Sequence, residues 1–182
     1  MKLLLFAFSS LLLTLASGFA QTTPQEMTKA YYDAQKAKDF DALAKLFDPA
    51  ELKAFRTKLD FLTDLPDEDG AAVITAFFGE EATKESVKKL DDLGFFATFL
   101  KSAAGAGEDA GGTMPDDVKV VGEVKEGEDR IHVVTRCKTG AGELQVESME
   151  VMSFKKIGDA WKAQLSGAMA ALPAQVRQSF GK

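Results

Sequence analysis

The hydrophobic period of the chain changes once, dividing it into a helical first half and a strand-rich second half. From Glu26 the apolar positions Met27, Ala30, Tyr31, Ala34 and Ala37 recur at helical spacing with no glycine or proline to stop them, which predicts one amphipathic helix. Asp39 is placed to cap a second, short helix whose face carries Phe40, Leu43, Ala44 and Phe47. Asp48-Pro49-Ala50-Glu51 then supplies a cap, a proline at the first helical position and an acid three residues after the cap, the pattern of a reciprocal capping box. Leu52, Phe55, Leu59 and Leu62 make the buried stripe of that third helix. Residues 64–70 read as a charged break, and Ala71 to Phe78 and Thr83 to Ser102 as further helices interrupted at Gly79 and Gly94. Phe95, Phe96, Phe99 and Leu100 are too dense an apolar cluster to stay in water. Ala103 to Pro115, with Gly105, Gly107, Gly111 and Gly112, reads as a mobile surface loop.

Beyond Pro115 the period is two. Val118 to Val124, Ile131 to Lys138, Leu144 to Lys155 and Trp161 to Leu165 predict four strands joined by short loops, and therefore successive antiparallel hairpins. Closing the second hairpin around Gly140 and Ala141 sets Lys138 opposite Glu143, Cys137 opposite Leu144, Thr135 opposite Val146 and Val133 opposite Ser148. One face then gathers Ile131, Val133, Cys137, Leu144 and Val146, and the other Arg130, His132, Arg136, Lys138 and Glu147. Continuing this register puts Glu150 on the apolar face between Ser148 and Met152; either a bulge near Met149 turns it back to water, or a carboxyl group faces the core. A last helical stretch runs from Leu172 to Phe180. The expected fold class is α+β, with helices covering the apolar face of a four-stranded antiparallel meander sheet.

The first twenty residues stand apart from this pattern. Lys2 precedes an apolar run from Leu3 to Ala16, and Gly18 and Ala20 place small residues three before and one before a cut ahead of Gln21. Residues 1–20 therefore read as a signal peptide and residues 21–182 as a single domain, exported to a periplasmic or extracellular location. The run falls short of the roughly 20 residues that span a bilayer, and no cysteine follows it to accept a lipid, so no membrane anchor is expected after cleavage. Cys137 is the only cysteine, which excludes an internal disulfide. A net charge of −6 and the absence of a long basic run argue against nucleic acid as a partner. One histidine and no cluster of ligand-type residues argue against a metal site.

Two segments carry a family resemblance. The stretch from Tyr31 to Phe47, YYDAQKAKDFDALAKLF, resembles the opening helix pair of the NTF2-like superfamily, which includes ketosteroid isomerases and SnoaL-like cyclases. Met152 to Ala163, MSFKKIGDAWKA, resembles the closing hairpin of the same superfamily. The resemblance implies a curved sheet wrapped on helices, a cone with a pocket between the layers for a small apolar ligand. It also implies an oxyanion hole, carrying the tyrosine of the first helix onto Tyr31 and its partner acid onto Glu150. The chain departs from the family in two places. Residues 48–115 read as helical where the family inserts a strand, and Phe55-Arg56-Thr57-Lys58 stands where the catalytic aspartate would be.

Tyr31, Glu150 and Trp161 are thus the candidate ligand-binding residues, with no catalytic residue, cofactor or metal assigned. His132 lies on the polar strand face opposite Met149, where it reads as solvated, and Cys137 reads as an inert buried thiol. A donor pair without a base binds but does not shuttle a proton, so the expectation is an exported, non-catalytic binding or accessory module holding a small apolar ligand. An isomerase or cyclase-type enzyme on the same pocket and a structural or stress-related envelope protein are the alternatives. A second copy of the chain is an admissible partner. N-terminal sequencing of the exported protein is expected to give Gln21, with Phe19 as the secondary start; a retained Met1 would remove the case for secretion.

Overall fold

A computed structural model describes residues 22–109, 115, 117–140 and 145–180 of the chain. The expected signal peptide and the 141–144 turn lie outside these residues. Thr23 caps α1 (Pro24–Lys36) in a capping box with Glu26, and Pro24 takes the first helical position, where its missing N–H costs nothing. Asp39 caps α2 (Phe40–Lys45) by accepting from the Ala42 N–H at 2.9 Å. Asp48 caps α3 (Pro49–Leu59) through the Ala50 N–H at 2.8 Å. The expected reciprocal box is not formed there, because Glu51 instead accepts from the backbone N–H of Leu165 at 2.6 Å and from the Gln164 side chain at 3.2 Å. A short 3₁₀ turn, Asp60–Asp64, leads to α4 (Asp67–Phe78), which Gly79 ends at φ +95°, a conformation other residues adopt at a cost.

Two boundaries differ from the sequence expectation. The break in the next helical stretch falls at residues 89–91 rather than at Gly94, giving α5 (Lys84–Lys88) and α6 (Asp92–Asp109). Gly94 sits in the first turn of α6, where its N–H bonds the Asp91 carboxylate at 2.7 Å. Helix α6 also runs on through Ala103–Asp109, a stretch expected to be loop. Alanines there carry the helix past Gly105 and Gly107, whose penalty of roughly 1 kcal/mol each is small against a helix already nucleated.

The sheet follows in the order β1 (Asp117–Glu126), β2 (Arg130–Thr139), β3 (Val146–Ile157) and β4 (Ala160–Ala163), every neighbour antiparallel. This is the expected α+β meander. The β2–β3 register differs from the expected one by four residues: Thr139 pairs with Val146, Cys137 with Ser148, Thr135 with Glu150 and Val133 with Met152. A longer turn accounts for the difference. Because four is even and side chains alternate with period two, the described residues of β2 and β3 keep the faces that alternation assigns them. The ladder is continuous, with no bulge near Met149; the bulge lies instead in β1, between Val120 and Gly122. After β4 the chain enters α7 (Gly167–Ser179), capped by Ser166 and longer than expected because Pro173 is carried inside it.

The core lies between the helices and the inner sheet face. Phe55, Phe96 and Phe99 pack ring on ring with centroids 5.2–6.4 Å apart, and Phe47 joins them at 5.2 Å from Phe96. Ile131, Val133 and Phe154 bring the sheet to this cluster, and Leu52, Phe55, Leu59 and Leu62 are buried as their spacing predicts. No helix among the described residues is long and apolar enough to cross a membrane. Phe154, fully buried where sheet and helices meet, tests this packing. Phe154→Ala is expected to lower unfolding stability by about 3–5 kcal/mol in a denaturant titration.

Candidate functional site

Two adjacent tyrosines on α1 divide the space between helices and sheet. Their rings meet edge to face at 5.3 Å, and each looks onto a different cavity. Tyr32 faces a groove of about 230 Å³ along β1, rimmed by charged residues of α1 such as Lys29, Asp33 and Lys36. Tyr31 lines a larger cavity of about 470 Å³ formed by α1, α2, α6, β3 and the segment entering α7. Its walls are apolar, from Leu43, Phe47, Phe96, Leu100, Met152 and Met169, and its polar groups include the Glu150 carboxylate. An apolar cavity with a few convergent polar groups is the usual form of a small-molecule site. The larger space is the better candidate on those grounds.

Glu150 occupies the inner sheet face, as its alternation requires, but beyond the cover of the helices, so the side chain is exposed. The Tyr32 hydroxyl donates to its Oε2 at 2.9 Å. With its one proton committed there, the phenol takes the Thr135 hydroxyl contact at 3.2 Å as acceptor, and the buried Cys137 thiol lies 3.5 Å away. Thr135 is wholly buried on the inner face, and its one proton is shared between the Tyr32 oxygen and the Glu150 carbonyl 3.4 Å away. Tyr31 does not join this cluster: its hydroxyl accepts from Gln35 Nε2 at 3.0 Å.

Tyr31 and Glu150, the expected donor pair, both line the cavity, and Glu150 accepts from Tyr32 at Oε2 while Tyr31 is held by Gln35. Trp161 is not among the lining residues; it sits half-buried against the core, opposite Lys156 in the β3–β4 hairpin. The sequence reading missed Tyr32, Thr135 and the cavity wall from Leu165 to Met169. Alternation places Thr135 and Glu150 on one face, which was a usable signal; the helical phase that brings Tyr32 over that face was not visible.

His132 also has partners the sequence did not show. It pairs with Ser153, not Met149; Nδ1 lies 2.9 Å from the Ser153 hydroxyl and Nε2 2.9 Å from the Glu126 carboxylate. Hydrogen bonds from His132 and Arg130 hold the Glu126 carboxyl below its ordinary range. This group lies on the outer sheet face, where it ties β1, β2 and β3 together at one end.

Among the described residues no group of three or more metal-ligating side chains converges. No family model matches the chain, and no curated protein does. Among solved structures the chain is similar to a SEC-C motif containing protein from Rhodopseudomonas palustris, with 15% identity, a TM-score of 0.42, and coverage of 79% of this chain and 77% of that one. These findings correct the expected membership of the NTF2-like superfamily, which the match does not return. The chain also keeps to helices from Pro49 to Asp109, with a single isolated bridge, Phe47 to Ala163, where that superfamily inserts a strand.

Burial, then the contacts with the Cys137 thiol and the Glu150 carboxylate, push the Tyr32 phenol far above the ordinary 10.0. Burial and the nearby Glu150 charge push Tyr31 the same way. Folded-state values above the unfolded ones contribute stability that is complete below pH 10 and is lost as the pH rises through the folded values. The chain has two tyrosines. Phenolate absorbance of the folded protein is therefore expected to stay low past pH 10 and to rise together with unfolding.

Proposed function

We propose that the chain is an exported, non-catalytic binding module that holds a small, largely apolar molecule in the cavity between α1, α2, α6 and β3. One observation carries this reading: a partly open cavity of about 470 Å³ sets the apolar groups Leu43, Phe47, Phe96, Leu100 and Met152 beside a carboxylate whose Oε2 is already held by Tyr32. Glu150 is thereby oriented with its other oxygen free to accept. No lysine, arginine or histidine is among the lining residues, so the site favours an apolar body with a hydrogen-bond donor or a cationic end over an anion. The same arrangement supports binding without turnover, because no nucleophile paired with a base faces the cavity: the Ser153 hydroxyl is turned to the outer face with His132.

Dansylcadaverine, an apolar fluorophore ending in a primary amine, is a suitable probe. It is expected to bind at least tenfold more tightly than dansylglycine, which ends in a carboxylate. Glu150→Gln keeps the Tyr32 contact and removes the charge, so it is expected to erase this preference while leaving the fold intact; a charge-assisted hydrogen bond is worth about 1.5–3 kcal/mol. Equal binding of both probes, or an unchanged preference in Glu150→Gln, would remove Glu150 from the site. Native mass spectrometry of the protein from its own host is expected to show a small molecule retained.

A further inference from the structure

The two long edges of the sheet are built differently. The outer edge of β1 carries Asp117, Lys119, Glu123 and Lys125, and the extra residue Val121 bulges it where the pairing shifts between Val120 and Gly122. Charges, lysines and bulges are the devices that keep an edge strand from recruiting another strand. On the other side, β4 pairs with β3 only from Phe154 to Ile157. The Gln164 N–H then donates to the Ser153 carbonyl at 2.8 Å, and the chain departs for α7. Over residues 146–152, no strand among the described residues takes the side of β3 opposite β2. This stretch, VESMEVM, has no lysine, no proline and no bulge, and it exposes Val146, Met149 and Val151 by 56–65%.

Two hydrogen bonds define which peptide groups face this open edge. The Ser153 carbonyl points to the β4 side, and the Lys156 N–H points the other way, to the Asp129 carbonyl at 2.7 Å. Peptide groups alternate sides along a strand, so Glu147, Met149 and Val151 turn their N–H and C=O to the open edge, while Ser148, Glu150 and Met152 turn theirs to β2.

We propose that this edge pairs antiparallel with the same edge of a second copy of the chain, about a two-fold axis at Met149, making one continuous eight-stranded sheet. Charge selects the register. An axis at Glu147 or at Glu150 sets two carboxylates directly opposite, which is unfavourable, and an axis at Ser148 sets Glu150 against Val146. With the axis at Met149, Glu147 faces Val151 and keeps its ion pair to Arg136 at 3.2 Å. Glu150 faces Ser148 of the second copy in a non-hydrogen-bonded backbone pair, the kind whose side chains come closest, at roughly 4.5 Å between Cα atoms. That serine hydroxyl donates to one lone pair of the Glu150 oxygen that Tyr32 leaves free, and the other lone pair stays open to the cavity. The contact is isologous, each copy giving what it receives. Because Glu150 lines the cavity, each copy contributes a donor to the rim of the other's site.

Sedimentation velocity of the protein recovered from its host, over a dilution series, is expected to show a dimer that dissociates on dilution. Met149→Pro removes an N–H that faces the open edge and no bond within the monomer, so it is expected to keep the far-ultraviolet circular dichroism and abolish the dimer. Ser148→Glu sets carboxylates opposite each other at both symmetric positions and is expected to weaken association at least tenfold. It carries the test if the proline variant misfolds. Val124→Lys, on the exposed outer face away from this edge, is expected to leave association unchanged. A monomer at every concentration, a foreign peptide co-purifying on the edge, or a dimer that survives Ser148→Glu and is lost in Val124→Lys would each overturn the proposal, the last by assigning the contact to the sheet face.

Discussion

One residue of the shortest strand fastens the helical half of the chain to its sheet. The Ala163 N–H donates to the Leu46 carbonyl at 2.8 Å, and the Ala163 carbonyl accepts from the Asp48 N–H at 2.9 Å. The two bonds hold the joint between α2 and α3 as a parallel bridge against β4. Each is worth only about 1 kcal/mol net, but their position matters more than their strength. Asp48 caps α3 from this joint, Phe47 leaves it to enter the aromatic cluster, and Glu51, one turn on, takes the Leu165 N–H. The cavity inherits its geometry from this clamp, since Phe47 and Leu165 form part of its wall.

What the sequence made legible followed from periodicity. Helices α2 and α3 begin at the expected caps because Asp39 and Asp48-Pro49 act locally, within one turn of chain. The sheet order and the faces along β2 and β3 were also readable, since alternation survives an even change of register, although Glu150 stayed open between two faces and the β1 bulge was not foreseen. What escaped depended on groups far apart in sequence. Glu51 reads as half of a capping box until the position of Leu165 is known. Similarly, the 103–109 segment reads as loop when its glycines are weighed alone, yet the helix that enters it from Asp92 continues through them. The family resemblance failed for a related reason: its two segments describe an opening helix pair and a closing hairpin, both common local motifs, and neither constrains the helices between them.

The site shows the same division between near and far. Tyr31 and Glu150 do share a cavity, but Tyr32 supplies the bond between helix and strand. A carboxylate that already accepts one phenol proton keeps its second oxygen as an acceptor beside the apolar part of the wall. The buried threonine and thiol lie behind the phenol, so Glu150 is the member of this cluster that lines the cavity.

The brevity of β4 links properties that would otherwise be independent. Ala163 turns its peptide groups away from β3 onto the α2–α3 joint, Gln164 makes the last bond to β3, and the chain then departs. Continuing the hairpin by two residues would bond the Val151 peptide group and draw Gln164 to Ser166 alongside β3, across the approach to the cavity. The same stop that anchors the helices therefore leaves both an aperture and an unfinished ladder beside it. Strand length at this single corner acts as a gauge: an insertion or deletion there would change access to the interior and the valency of the sheet together, and neither could drift without the other.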